Sequence, residues 1–295
     1  MNLREARAKS GASTLRLSDG VTAYHLHGAD GPWVVLVHGL FTPMDAWEGL
    51  AEALAATGFR VLRFDQFGRG LSERIPFPHT LDRFVRQLGE ILDAFGIEAA
   101  HVVSWSMGGL VASTFALEHP DRVLRHALIA PGFFLRPPLR VRLASRLPGR
   151  EAVLAALAGS FVDKLPAQQF RHLDRVPGYR DHLRDQLGCP GSREAFASIV
   201  LHYPWQFGPE LRPVGDHPRP VLLLWGDDDP VTPYANAARV VELFPRARLV
   251  TFPGARHAPH LEHAEQAAEF APLLVRGNAQ GGARATVGQR QRLSA

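Results

Sequence analysis

The chain has 295 residues, of which 46% are hydrophobic and 21% charged, with a formal charge of +4. That composition excludes collagen-like, low-complexity and disordered classes, and the length suits one large α/β domain or two smaller ones. Cys189 is the sole cysteine, so no intramolecular disulfide can form.

The basic residues are almost all arginine and form no dense stripe interleaved with aromatics, so nucleic acid is not an expected partner. Residues 1–10 are charged and lack an apolar signal core. The longest small-apolar run, Ala152 to Val162, is far short of the roughly 20 residues of a membrane span. The expectation is a soluble, cytoplasmic protein with no membrane span.

Along the chain, residues 1–13 read as a flexible polar leader. Thr14 to Leu26 alternates about an Asp19-Gly20 turn, which predicts an antiparallel hairpin. Trp33 to Val37 is a continuous apolar run, the mark of a strand buried on both faces. A helix is expected next, capped by Thr42, with Pro43 in its first turn, running to about Thr57. Phe59 to Phe64 predicts a strand and Thr80 to Phe95 a helix. His101 to Val103 predicts a strand, Met107 to Glu118 a helix and Val123 to Ile129 a strand. Strand and helix alternate with short links, so the fold class is α/β, a mostly parallel wound sheet.

The alternation stops near Gly132. Residues 133–217 read as helices broken at Pro-Gly and Pro-Pro pairs, an inserted helical lid. Strands resume at Val221 to Trp225 and Arg248 to Phe252, and a last helix is predicted from Ala258 to about Val275. The core is therefore 14–132 plus 218–276, and 277–295 reads as a flexible tail. A lid at that point in the chain would cover the carboxyl ends of the strands, where open α/β sheets bind ligands.

Ser106 stands at the junction of a strand and a helix, in Ser104-Trp105-Ser106-Met107-Gly108. A serine on that turn is pushed out of the sheet edge, and the residues two before and two after it must be small. Gly108 is; Ser104 stands where a glycine is usual. A hydroxyl needs a base, and the base needs an orienting acid. Asp227, Asp228 and Asp229 follow the Val221 strand, and chemistry alone leaves the choice among them open. Of the nearby histidines, His257 is favoured over His260 and His263 because it lies in the loop before the helix. His257 with His260 is a weak metal pair and no metal site is read from it, since no H-E-x-x-H or cysteine cluster is present. The order Ser, Asp, His is that of α/β-hydrolases. Two amides are needed for an oxyanion hole, and Met107 and Leu40, in the His38-Gly39-Leu40 loop, are assigned to it. His38 is read as shaping the turn.

These segments resemble the α/β-hydrolase superfamily: His38-Gly39, the Asp65-Gln66-Phe67-Gly68-Arg69-Gly70-Leu71-Ser72 loop, the Ser106 elbow, Trp225-Gly226-Asp227-Asp228-Asp229, and Gly254 to Glu262. The resemblance selects Asp229 as acid and His257 as base. It implies a serine hydrolase, carboxylesterase- or lipase-like, without a cofactor. The elbow from Trp105 to Ser113 also resembles that of pimeloyl-carrier methyl ester esterases. Ser104 and the bulky Arg256 depart from the usual pattern. The substrate is expected to be a small or medium apolar ester, held by Phe41, Trp105, Phe133, Phe134 and Trp205, with Phe161, Tyr203 and Phe207 as further candidates. Arg136, Arg140, Arg142, Arg146 and Arg150 crowd the start of the lid, where an acyl carrier protein or another anionic partner would dock; a solvated face is the plainer reading. Two alternatives remain: a C–C hydrolase of meta-cleavage products on this scaffold, and a non-enzymatic ligand-binding protein. Epoxide hydrolases and dehalogenases use an aspartate where this chain has Ser106.

Overall fold

The computed structural model describes residues 3–76, 78–269 and 285–286. Polarity predicts a loose leader, but Leu3–Ser10 is a helix (α1). Its residues are mostly strong helix formers, and Arg7 anchors it by donating from Nε to the Leu71 carbonyl at 2.7 Å. The hairpin follows as Ser13–Arg16 (β1) and Val21–His27 (β2), paired antiparallel.

The apolar run Trp33–Val37 is strand β3. A 3₁₀ turn at Met44–Trp47 then leads into helix α2, Glu48–Ala56. Thr42 does not cap it. Its Oγ1 lies 3.0 Å from the Tyr179 hydroxyl, which in turn donates to Gln169 at 2.6 Å, tying this loop to the helices inserted later in the chain. Next come β4 (Arg60–Phe64), α3 (Leu81–Ala94), β5 (Ala100–Trp105), α4 (Met107–Glu118) and β6 (Val123–Ile129).

Between β6 and the next strand lie α5 (Leu139–Ala144), α6 (Arg150–Gln169), α7 (Tyr179–Gly188), α8 (Ser192–His202) and α9 (Arg212–Asp216). The Pro-Gly breaks do what their chemistry allows: Gly149, Gly178 and Gly191 precede α6, α7 and α8 with φ of 67°, 76° and 82°, a region open to glycine at little cost. The chain re-enters the sheet as β7 (Val221–Gly226), then α10 (Asn236–Leu243) and β8 (Ala247–Phe252). Helix α10 was not expected. The single helix expected after Ala258 is two short ones, α11 (Pro259–Glu262) and α12 (Ala264–Glu269), interrupted at His263. Its expected end near Val275 lies outside the described residues, as does the tail at 277–295 apart from strand β9, Ala285–Thr286, which pairs with β8.

The sheet order is β1-β2-β4-β3-β5-β6-β7-β8-β9, and every pair from β4 onward is parallel. After β3 the chain moves outward to β4, then crosses back to place β5 on the other side of β3. The order reverses there, so the loops leaving β3 and β5 diverge and open a crevice at their carboxyl ends. Those loops carry Leu40 and Ser106. Among the described residues no helix is long and apolar enough to cross a membrane.

Several histidines are buried as neutral rings. Burial, with the charge of nearby arginines, pushes the imidazoles of His79 and His126 down to about 3; burial, with the neighbouring His257, does the same to His260. Each folded-state value lies below that of an unfolded histidine. The stability they contribute is present above about pH 6.5 and is lost as pH falls toward 3, by up to about 1.4 kcal/mol per pH unit for each ring. Asp65 works in the opposite sense, because burial raises its carboxyl to about 7, but one carboxyl is outweighed by these rings. The urea midpoint should therefore fall steadily from about pH 6.5 to 5. A flat profile over that range would contradict the neutral burial of these rings.

Candidate active site

Ser106 links β5 to α4 with φ 54° and ψ −119°, a conformation that costs energy for any residue with a side chain. Three backbone hydrogen bonds pin it. Its amide donates to the Ile129 carbonyl at 2.9 Å, and its carbonyl accepts from the amides of Gly109 (2.9 Å) and Gly132 (3.0 Å). Ser104 fits where a glycine is usual because its hydroxyl finds the neighbouring strand, 3.3 Å from the Ala127 carbonyl and 3.5 Å from His126 Nε2. The Ser106 hydroxyl lines a cavity at the carboxyl edge of the sheet, and no hydrogen bond holds it among the described residues.

Asp229 and His257 are both buried and joined, Nδ1 to Oδ2, at 2.9 Å. A carboxylate only accepts, so the imidazole proton sits on Nδ1 and Nε2 is left with its lone pair. Every side of Asp229 is held. Oδ1 accepts the amides of Val231 (2.8 Å) and Thr232 (2.9 Å), and Oδ2 also accepts the Thr232 hydroxyl at 2.6 Å. The carboxylates left open by chemistry alone divide cleanly. Asp227 holds the Gly254 amide at 2.6 Å, Asp228 faces outward to Arg171 and Arg256, and Asp229 alone reaches the imidazole.

Arg256 leaves the site undisturbed because its guanidinium turns away, to Asp228 and to the Ala167 carbonyl at the end of α6. Trp105 supports the base from the other side. Its indole NH donates to the His257 carbonyl at 2.9 Å, which couples the Ser106 elbow to the histidine loop. His260, the other half of the weak metal pair, packs instead between the rings of Trp47 and Trp105, with centroids at 4.8 and 4.7 Å.

The loop after β3 is built by His38. Nε2 accepts the Gln66 amide at 2.9 Å, Nδ1 donates to the Gly39 carbonyl at 2.7 Å, and the Gln66 side chain donates to the His38 carbonyl at 2.6 Å. Burial and the charge of Arg69 hold this imidazole well below its usual value, so it stays neutral. Asp65 spends its carboxylate on the amides of Met44 and Leu71, each at 2.7 Å. Both residues are scaffolding for the Gly39-Leu40 turn. A Cβ on Gly39 would come within 3.3 Å of the Ser106 Cβ, so a side chain there would crowd the elbow. Leu40, Met107, Ser106 and His257 all line the same cavity, and Met107 is the first residue of α4, where the amides have no partner within the helix.

The cavity holds about 280 Å³. Phe41, Trp105 and Trp205 line it, as do Phe161 and Tyr203; Phe133, Phe134 and Phe207 do not. Phe133 is wholly buried and stacks on Phe244, while Phe134 packs under the Arg239 guanidinium at 3.8 Å. Position just past β6 brings these two rings near the site in sequence, but the backbone turns them into the core. Phe196, missed in the sequence, stacks on Phe41 at 4.8 Å and completes the apolar wall. It lies on the buried face of α8, where periodicity cannot tell a cavity wall from core.

Glu262 lies outside the cavity lining and ties two elements together. Its carboxylate accepts the amides of Arg171 (3.2 Å) and His172 (2.6 Å), and so fixes the turn after α6 to α11. A glutamine in its place would turn an NH₂ toward one of those amides. Glu262→Gln should therefore cost about 1–3 kcal/mol, read from the urea midpoint; an unchanged midpoint would show that the turn does not depend on this carboxylate.

A mostly parallel sheet with a serine elbow at its reversal point and a helical insertion after β6 defines the architecture of an α/β hydrolase. The chain belongs to this family: the alpha/beta hydrolase fold model matches residues 32–264. It is 31% identical over 271 residues to a 2-hydroxy-6-oxononadienedioate/2-hydroxy-6-oxononatrienedioate hydrolase of Paraburkholderia phymatum, covering 84% of this chain and 90% of the relative. It is also 31% identical over 253 residues to a pimeloyl-[acyl-carrier protein] methyl ester esterase of Nitrosomonas europaea, covering 80% and 93%. Among solved structures, the enol-lactonase from Burkholderia xenovorans LB400 superposes with a TM-score of 0.74 at 26% identity, covering 89% and 99%.

Proposed function

We propose that the protein hydrolyses a carboxylic ester through an acyl-enzyme on Ser106. The observation that carries this reading is the Asp229–His257 pair, fixed at 2.9 Å, on a cavity into which the unbonded Ser106 hydroxyl opens. His257 Nε2 takes the hydroxyl proton as Ser106 Oγ attacks the carbonyl carbon. Asp229 holds the ring and stabilises its charged form. The Leu40 and Met107 amides receive the oxyanion, and the same imidazole passes its proton to the departing alkoxide. Water then attacks the acyl-enzyme, losing a proton to His257; the bond to Ser106 Oγ breaks as His257 returns that proton to it, and the acid is released. All of this uses side chains and amides of the chain; no metal or cofactor enters.

A C–C hydrolase is the second reading, favoured by the dienedioate hydrolase relative. Parallel assays with p-nitrophenyl esters and a ring-cleavage dienoate separate the two. Turnover of the esters with an inert dienoate supports the esterase, and the reverse outcome removes it. A purely ligand-binding role has no use for a buried Asp–His pair beside a free hydroxyl.

A further inference from the structure

We infer that the substrate carries an anionic end, a carboxylate or a phosphate, held by Arg136, Arg140 and Lys164 while the ester group lies against Ser106. This rests on the ester-hydrolase reading above. All three cations line the cavity that holds Ser106 and His257, and among the described residues no Asp or Glu lines it. None of the three has an ion-pair partner among the described residues. The acids nearest to them in the chain are committed elsewhere, Glu151 to Arg150 and Asp163 to Arg184.

Arg140 is held in place without an acid. Its guanidinium sits 5.6 Å from the centroid of Phe161, itself part of the cavity wall. Cations gathered at one opening repel one another when it is empty, and a bound anion relieves that repulsion. Of the arginines that crowd this stretch of sequence, all exposed, Arg136 and Arg140 line the cavity and Arg142, Arg146 and Arg150 do not. Val141, Phe161, Leu165 and Phe196 make up apolar wall of the same cavity. The ligand that fits has a reactive ester, an apolar middle and a charged end. A neutral alkyl ester would leave the cations unused.

The test is calorimetric binding to the full-length Ser106→Ala protein, which cannot turn the ligands over. Monomethyl adipate and monomethyl suberate are compared with methyl hexanoate and methyl octanoate, and an ω-phosphono methyl ester distinguishes a phosphate end from a carboxylate end. The anionic esters should bind at least about tenfold more tightly than their neutral counterparts, and the advantage should shrink as salt is added. It should disappear when Arg136→Gln, Arg140→Gln and Lys164→Gln are combined. Equal affinities, an advantage that survives the combined substitutions or is indifferent to salt, or no binding of any of these esters would overturn the inference. Failure of the wild-type protein to hydrolyse any ester, with the anion preference in binding intact, would instead count against the esterase reading alone.

Discussion

A Ser106→Ala protein is expected to lose about 10⁴–10⁶-fold in kcat on p-nitrophenyl esters, with the fold intact. The hydroxyl makes no hydrogen bond to the rest of the protein among the described residues, so removing it breaks no structural contact. His257→Ala and Asp229→Asn should fall in a comparable range. In the Asp229→Asn case the oxygens that now accept from Val231, Thr232 and His257 are reduced to one. The amide nitrogen would then face donors, and the imidazole would lose the acceptor that keeps its proton on Nδ1. Because these residues act on one proton transfer, combining Ser106→Ala with His257→Ala should cost little beyond either alone. Additive losses in single-turnover kinetics would show that they do not work as a unit.

Gly108→Ala is expected to disrupt the structure at the site itself. A Cβ at this position would lie 2.7 Å from the His38 carbonyl oxygen and closer still to that of Val37. Both are backbone atoms at the end of β3, so no side-chain rotation relieves the overlap. The start of α4 must move away from β3, and with it the Met107 amide, the Ser106 turn and the Leu40 loop. A loss of about 3 kcal/mol or more in unfolding free energy is expected, together with loss of ester turnover. Gly49→Ala gives the contrast. Gly49 lies within α2, and a Cβ added there would meet nothing within 4 Å, so the same chemical change should stabilise by about 0.5–1 kcal/mol. Denaturant midpoints of the two variants check both signs. A Gly108→Ala protein as stable as the parent would mean that the close approach of α4 to β3 is not real.

The parts of this fold that could be read from sequence are those where local chemistry and long-range packing demand the same residue. Trp33–Val37 is apolar throughout because a central strand is covered on both faces, and the helix at Met107–Glu118 starts where the elbow requires small residues. Asp229 could not be separated from Asp227 and Asp228 by carboxylate chemistry; the loop motif selected it, and the geometry explains the choice by turning each carboxylate to a different partner. What stayed hidden depends on distant contacts. The expected Thr42 cap fails because Tyr179, 137 positions away, takes its hydroxyl. Phe133 and Phe134 were expected at the ligand and instead pack on Phe244 and Arg239, because side-chain direction after β6 is set by the backbone turn and not by residue type. The α1 helix was masked by its own polarity, since Arg7 reaches a carbonyl contributed by a loop that sequence alone does not place nearby. The Arg cluster looked like a single charged face, and only the three-dimensional arrangement shows that Arg136 and Arg140 line the cavity while Arg142, Arg146 and Arg150 do not.

The most direct test of Ser106 as nucleophile is labelling with a fluorophosphonate followed by peptide mapping, since phosphonylation requires a serine that is both accessible and activated by its base. One adduct is expected, on the peptide containing Ser106, and it should be lost in the His257→Ala protein. An unlabelled protein, or an adduct on a different residue, would contradict that assignment.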